Sequence, residues 1–146
     1  MSGKEVKIAT EDGSFISYMS IPPSGTATGV VVIQKIFGVN RWTRSMAGWF
    51  AARGYVALAP DIFWRMKPAI QLDPTIDAEL EEGSGYYKKF AVDRGAEDIQ
   101  ATIVALRRIP ERSGGVGAVG SCLGGLLAYL TSTRTDALAL FKGALA

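Results

Sequence analysis

The chain of 146 residues contains no histidine. The side chain that most often serves as a general base near neutral pH is therefore missing. Cys122 is the single cysteine, which excludes an internal disulfide and any CxxC site. No run approaches the roughly 18 consecutive apolar residues of a membrane span. The opening stretch, MSGKEVKIAT, holds no apolar segment of the kind a secretory signal needs. Charge of one sign is scarce: the net charge is +2 and the basic residues are scattered, which argues against a nucleic-acid surface. Pairs such as Lys88-Lys89 and Arg107-Arg108 fit solvated helix faces. There is no internal repeat, linker or low-complexity segment. These absences describe a cytoplasmic protein with a free thiol, without membrane or nucleic-acid partners, folded as one domain over residues 1–146.

What is present is ordinary for a globular chain and sufficient to bury a core: 48% hydrophobic and 21% charged residues. EVKIAT and SFISYMS flank Asp12-Gly13 and predict a β-hairpin. GVVVIQ (29–34) and YVALAP (55–60) are continuous apolar runs, as expected of strands covered on both faces of a parallel sheet. Between them the spacing predicts a helix from Asn40, its N-cap, to Gly54, its C′ residue. Its tryptophans, Trp42 and Trp49, are expected in the core. The segment from Asp61 to Pro74 is irregular. A weak helix is expected over 79–91, interrupted by Gly83 and Gly85, and a better one over 93–108 with Ile99, Ile103 and Leu106 inward. A short strand, GVGAVG (115–120), then leads to a helix over 123–133, and DALALFKGALA starts one further strand. Strands alternating with helices after an antiparallel start predict an α/β sandwich with a mainly parallel sheet and helices on both faces.

Residues Gly115–Gly120 match GxGxxG formally, but a dinucleotide site needs those glycines after a strand and opening a helix. Here they precede or form the strand. Gly120-Ser121-Cys122-Leu123-Gly124 has instead the spacing of a nucleophile elbow, with cysteine in the central position. Such a turn holds its nucleophile in a strained backbone conformation and needs small neighbours. The simpler alternative is a glycine-rich turn around a buried, inert thiol.

VVIQKIFGVN, GYVALAPDIF and VGAVGSCLGGLLAYL, in that order, resemble successive signatures of the dienelactone hydrolase (carboxymethylenebutenolidase) family, over about residues 6–133. The resemblance implies an α/β-hydrolase-type three-layer sandwich and a Cys-His-Asp triad that opens lactones or esters, with no cofactor and no metal. It assigns the nucleophile to Cys122 and the oxyanion hole to the backbone N–H groups of Leu123 and Ile36. Phe37 and Trp64 are expected at the pocket wall. Lys35 belongs to the thiol environment, at a position where the family usually carries an acid.

Further departures accompany Lys35. The family's carboxylate-clamping arginine is expected between Leu72 and Phe90, a segment without arginine; Arg65 or Arg94 is left as a substitute. The family's Asp and His follow the elbow helix, and DALALFKGALA does not resemble the usual next strand. The sheet is therefore expected to lack its last strands and helices, so that the chain is a partial domain. Lys35 and the helix dipole would favour a reactive thiol. Three functions follow as alternatives: a thiol hydrolase of small lactones or esters; a catalytically defective fragment that associates with itself or a complementary chain; and a redox-sensing thiol.

Overall fold

The structure, a computed structural model, describes residues 3–23, 27–134 and 138–142. The elements in chain order are β1 (Gly3–Thr10), β2 (Gly13–Ser20), β3 (Ala27–Ile33), α1 (Arg41–Ala52), β4 (Val56–Pro60), α2 (Asp77–Lys89), α3 (Val92–Arg107), β5 (Arg112–Ser121), α4 (Leu123–Arg134) and β6 (Leu138–Lys142). They form a six-stranded sheet in the order β1-β2-β4-β3-β5-β6. β1 and β2 are antiparallel to each other, and β2 is antiparallel to β4; the β4-β3, β3-β5 and β5-β6 pairs are parallel.

Strand parity divides the core in two. Val30, Val32, Ala57 and Ala59 face α1, where Ala47 and Val39 complete a small cluster. Val31, Ile33, Val56 and Leu58 face the other way, against Ile99, Ile103 and Leu106 of α3 and Leu127 of α4. Successive side chains on a strand point to opposite faces, so a strand covered on both sides reads as an unbroken apolar run. The result is three layers: α1, the sheet, and α3 with α4.

The hairpin turn is Glu11-Asp12, one residue earlier than expected, because Thr10 pairs with Gly13. The Thr10 hydroxyl donates to the Asp12 carboxylate over 3.0 Å and steadies this turn. Asn40 caps α1, its side-chain oxygen accepting from Thr43 N over 3.2 Å. The placement of the tryptophans is corrected. Trp42 and Trp49 are 44% and 48% exposed, whereas Thr43, Ala47 and Ala51 form the buried face of α1. Small residues let the helix lie close on a sheet face made of valines and alanines, and the indoles turn outward. There Lys35 Nζ lies 4.0 Å from the Trp42 ring centroid and the Arg53 guanidinium 3.6 Å from that of Trp49. α2 is continuous through Gly83 and Gly85. Gly83 is its buried position, set against the Ile36 carbonyl.

Candidate active site

β5 ends at Ser121 and α4 begins at Leu123, so a single residue turns the chain from strand to helix. That residue is Cys122, with φ +58°. A non-glycine residue in the left-handed region costs about 1–3 kcal/mol and persists only where its surroundings impose it. The imposing contacts are backbone on backbone. A Cβ added at Gly120 would lie 2.3 Å from the Gly124 carbonyl, and one at Gly124 would lie 2.6 and 2.7 Å from the Ile33 and Gln34 oxygens. Only glycine at both positions lets the first turn of α4 rest on the end of β3. Cys122 is exposed, while Leu123 is buried at 2%. The bond from Leu126 N to Cys122 O, 3.2 Å, opens the helix, whose first amides lack partners within it.

The segment after β3 is held as firmly as the elbow. Gln34 is fully buried; its side-chain oxygen accepts from Ile62 N (3.1 Å) and its NH2 group donates to Lys35 O (3.0 Å). Leu72 N donates to Phe37 O over 2.9 Å, Gly38 bridges Gln71, and Asn40 Nδ2 donates to Leu72 O over 2.8 Å. The loop that follows β4 thus braces the loop that follows β3. Asp61 organises that brace: its carboxylate accepts from Phe63 N (3.2 Å) and Ala69 N (2.8 Å). Burial pushes its pKa up, against the pull of those two bonds.

The sequence-expected residues divide accordingly. Gly124 of the elbow rests on the carbonyl oxygens of Ile33 and Gln34, which brings the start of α4 onto the end of β3. Ile36 and Phe37 lie under α2 at Gly83. Lys35 is half-buried, and its ammonium lies over the Trp42 ring of α1. Trp64 packs between the hairpin and α3. Its ring stacks on Phe15 at 5.7 Å and its Nε1 donates to Asp98 over 2.9 Å. Arg65 is committed to carboxylates as well. It donates to Asp98 from Nε (3.2 Å) and from Nη2 (2.8 Å), and pairs with Asp12 through Nη1. That commitment leaves it unsuited to clamping a substrate. Arg94 is paired with Glu97 at 3.2 Å. The described grooves also lie towards the hairpin. One, of about 1090 Å³, runs between β1 and α3, and another, of about 300 Å³, lies beside Phe15, Asp61 and Trp64.

Three contributors were missed from the sequence: Gln34, Asp61 and Asp98. Asp98 had a signal, because it sits on the inward stripe of α3 with Ile99 and Thr102, where an unpaired acid would be costly. Gln34 had one too, a polar residue closing a buried apolar strand.

Residues 15–146 match the dienelactone hydrolase family. The chain belongs to this family. The family match includes the last segment, DALALFKGALA, against the expectation that it is atypical. The chain is 36% identical over 117 residues to a carboxymethylenebutenolidase of Pseudomonas sp., covering 80% of this chain and 49% of that protein. It is 35% identical over 130 residues to the carboxymethylenebutenolidase of Pseudomonas putida, covering 88% and 55%. The chain thus spans about half the length of the curated relatives it matches. Among solved structures, a candidate dienelactone hydrolase from Klebsiella pneumoniae superposes with a TM-score of 0.77 at 23% identity, over 94% of this chain and 57% of that one. A dienelactone hydrolase-like promiscuous phosphotriesterase from metagenomic libraries superposes with a TM-score of 0.70 at 29% identity, over 97% and 57%. The family frame is the α/β-hydrolase fold. No helix among the described residues is long and apolar enough to cross a membrane.

Proposed function

We propose that this dienelactone hydrolase family chain carries the nucleophile half of a thiol hydrolase for small lactones or esters, with Cys122 as the nucleophile. The observation that carries this reading is the φ of +58° at Cys122, an exposed thiol held in a left-handed turn between β5 and α4. An inert structural cysteine has no need of that conformation. The thiolate attacks the acyl carbon, the S–C bond forms, and the carbonyl π pair moves to oxygen. The N–H groups of Leu123 and Ile36 receive that oxyanion. Each such donor is worth roughly 2.7–4 kcal/mol of transition-state stabilisation. Collapse breaks the C–O bond, opening a lactone or releasing an alcohol, and leaves a thioester on Cys122. Phe37 contributes to the pocket wall beneath α2, and Lys35 belongs to the surroundings of the thiol.

Water must then hydrolyse the thioester. The chain has no histidine to serve as base for that water or as acid for the leaving oxygen. Those groups are assigned to residues beyond these 146, in a longer protein or a complementary chain. Removing triad members typically leaves only the residual catalysis of binding and oxyanion donors. The chain alone is therefore expected to acylate once and turn over slowly. The test is intact mass after incubation with a p-nitrophenyl ester. One acyl group on the wild type and none on Cys122→Ala is expected. An unmodified wild-type mass would favour a second reading, a catalytically silent half that binds a complementary chain. That reading draws on the chain's spanning about half of its curated relatives.

A further inference from the structure

The peptide unit between Lys35 and Ile36 is hydrogen-bonded by a buried side chain. The Lys35 carbonyl and the Ile36 N–H belong to the same planar trans peptide, so they point in opposite directions. The Gln34 carboxamide donates to that carbonyl over 3.0 Å, while its own oxygen is fixed by Ile62 N at 3.1 Å. The donor is thus anchored at its far end to the loop after β4. Gln34 is fully buried and cannot swing into water. Its backbone oxygen lies against Gly124 of the elbow, where an added Cβ would approach to 2.7 Å. A single residue therefore touches the elbow, the loop after β4 and the peptide that carries the Ile36 amide.

We infer that Gln34 is a positioning residue that aims the Ile36 N–H, an assignment resting on the reading of that amide as an oxyanion donor. With the Lys35 carbonyl held on the Gln34 side, the Ile36 N–H is fixed on the opposite side of the peptide plane. Without that hold the peptide can rotate and its N–H leaves the oxyanion. Complete loss of one such donor lowers acyl transfer by roughly 100- to 1000-fold. Misalignment is expected to cost less, about 10- to 100-fold.

Two reactions of the same thiol separate aim from reactivity. Acylation by a p-nitrophenyl ester passes through an oxyanion. Alkylation by iodoacetamide does not: sulfur attacks the methylene carbon and iodide leaves with the bonding pair. The substitutions are Gln34→Glu and Gln34→Met. Gln34→Glu keeps an acceptor for Ile62 N but, ionised, cannot donate to Lys35 O. Gln34→Met removes both bonds at similar length and adds no charge should a buried carboxylate disturb folding. Each rate is measured by intact mass on protein with the wild-type circular dichroism spectrum. Acylation lowered 10- to 100-fold with alkylation within about twofold of wild type is the expected result. Acylation unchanged in both variants would overturn the assignment. So would a parallel fall in both reactions, which would place Gln34 in the general support of the elbow. A wild type that alkylates but never acylates would overturn the hydrolase reading itself, and the assignment with it.

Discussion

Gly124 shows how far single atoms decide this site. Its α-carbon sits where any side chain would meet the carbonyl oxygens of Ile33 and Gln34 at 2.6 and 2.7 Å. Neither neighbour is a flexible side-chain tip; both are backbone at a parallel strand end. Gly124→Ala must therefore lift the start of α4 off β3. The expected cost is about 1–3 kcal/mol, read as a lower urea midpoint. If the proposed oxyanion hole holds, acylation of Cys122 should fall as well, because the same shift would separate the Leu123 and Ile36 amides. The need for glycine at 120 and 124 was legible in the spacing around Cys122. The part played by Gln34 was not, since its bond to Ile62 spans 28 residues of sequence and exists only once β3 and β4 lie side by side.

At the scale of elements, the antiparallel hairpin is tied to the parallel body through Arg65. Its guanidinium joins Asp98, buried in α3, to Asp12 at the hairpin turn, and Trp64 donates to the same Asp98 while stacking on Phe15 of β2. Hydrogen bonding from Arg65, then from Thr10, lowers the Asp12 pKa from 3.8 to about 2. The sign follows from the depressed folded value. The carboxylate stabilises the fold above its unfolded pKa, and that contribution is lost as pH falls from about 4 to about 2. Asp12→Asn should therefore reduce the loss of stability across this window, measured by urea melts at pH 5 and pH 2.5. A wild type and variant with the same acid slope would place the stabilisation elsewhere. Because Asp12 is solvent-exposed, the difference should shrink in high salt. Sequence periodicity located α3 and its inward residues Ile99, Ile103 and Leu106 closely. It did not reveal that Arg65 and Trp64 would spend their polar groups on Asp98, a pairing set by tertiary contact over more than thirty residues.

At the scale of the whole molecule, β1 and β6 stand at the two ends of the strand order. β6 covers β5 in register from Gly117↔Leu138 to Ser121↔Lys142, so the elbow strand is central rather than marginal. A strand at a sheet edge presents unpaired N–H and C=O groups that invite another chain. We propose that these edges associate with a second copy of the chain. Sedimentation velocity at micromolar concentration is expected to show an oligomer. A monodisperse monomer would contradict it and leave the six-stranded sheet self-sufficient.

The sequence by itself determined the local grammar of this protein. The apolar runs made β3 and β4, Asn40 capped α1, the periodicity of α3 set its buried stripe, and two glycines around Cys122 made the elbow. Each depends on residues a few positions apart, where strand parity, helix pitch and φ preference act directly. Tertiary structure alone decided the rest: the strand order, the outward turn of Trp42 and Trp49, the placement of Lys35 on an indole, and the packing of Trp64 and Arg65 between the hairpin and α3. Those outcomes turn on which surfaces come to lie against one another. A helix lying on a sheet of small residues settles by its own smallest face, and a buried polar group bonds to whichever partner the closed fold brings within reach.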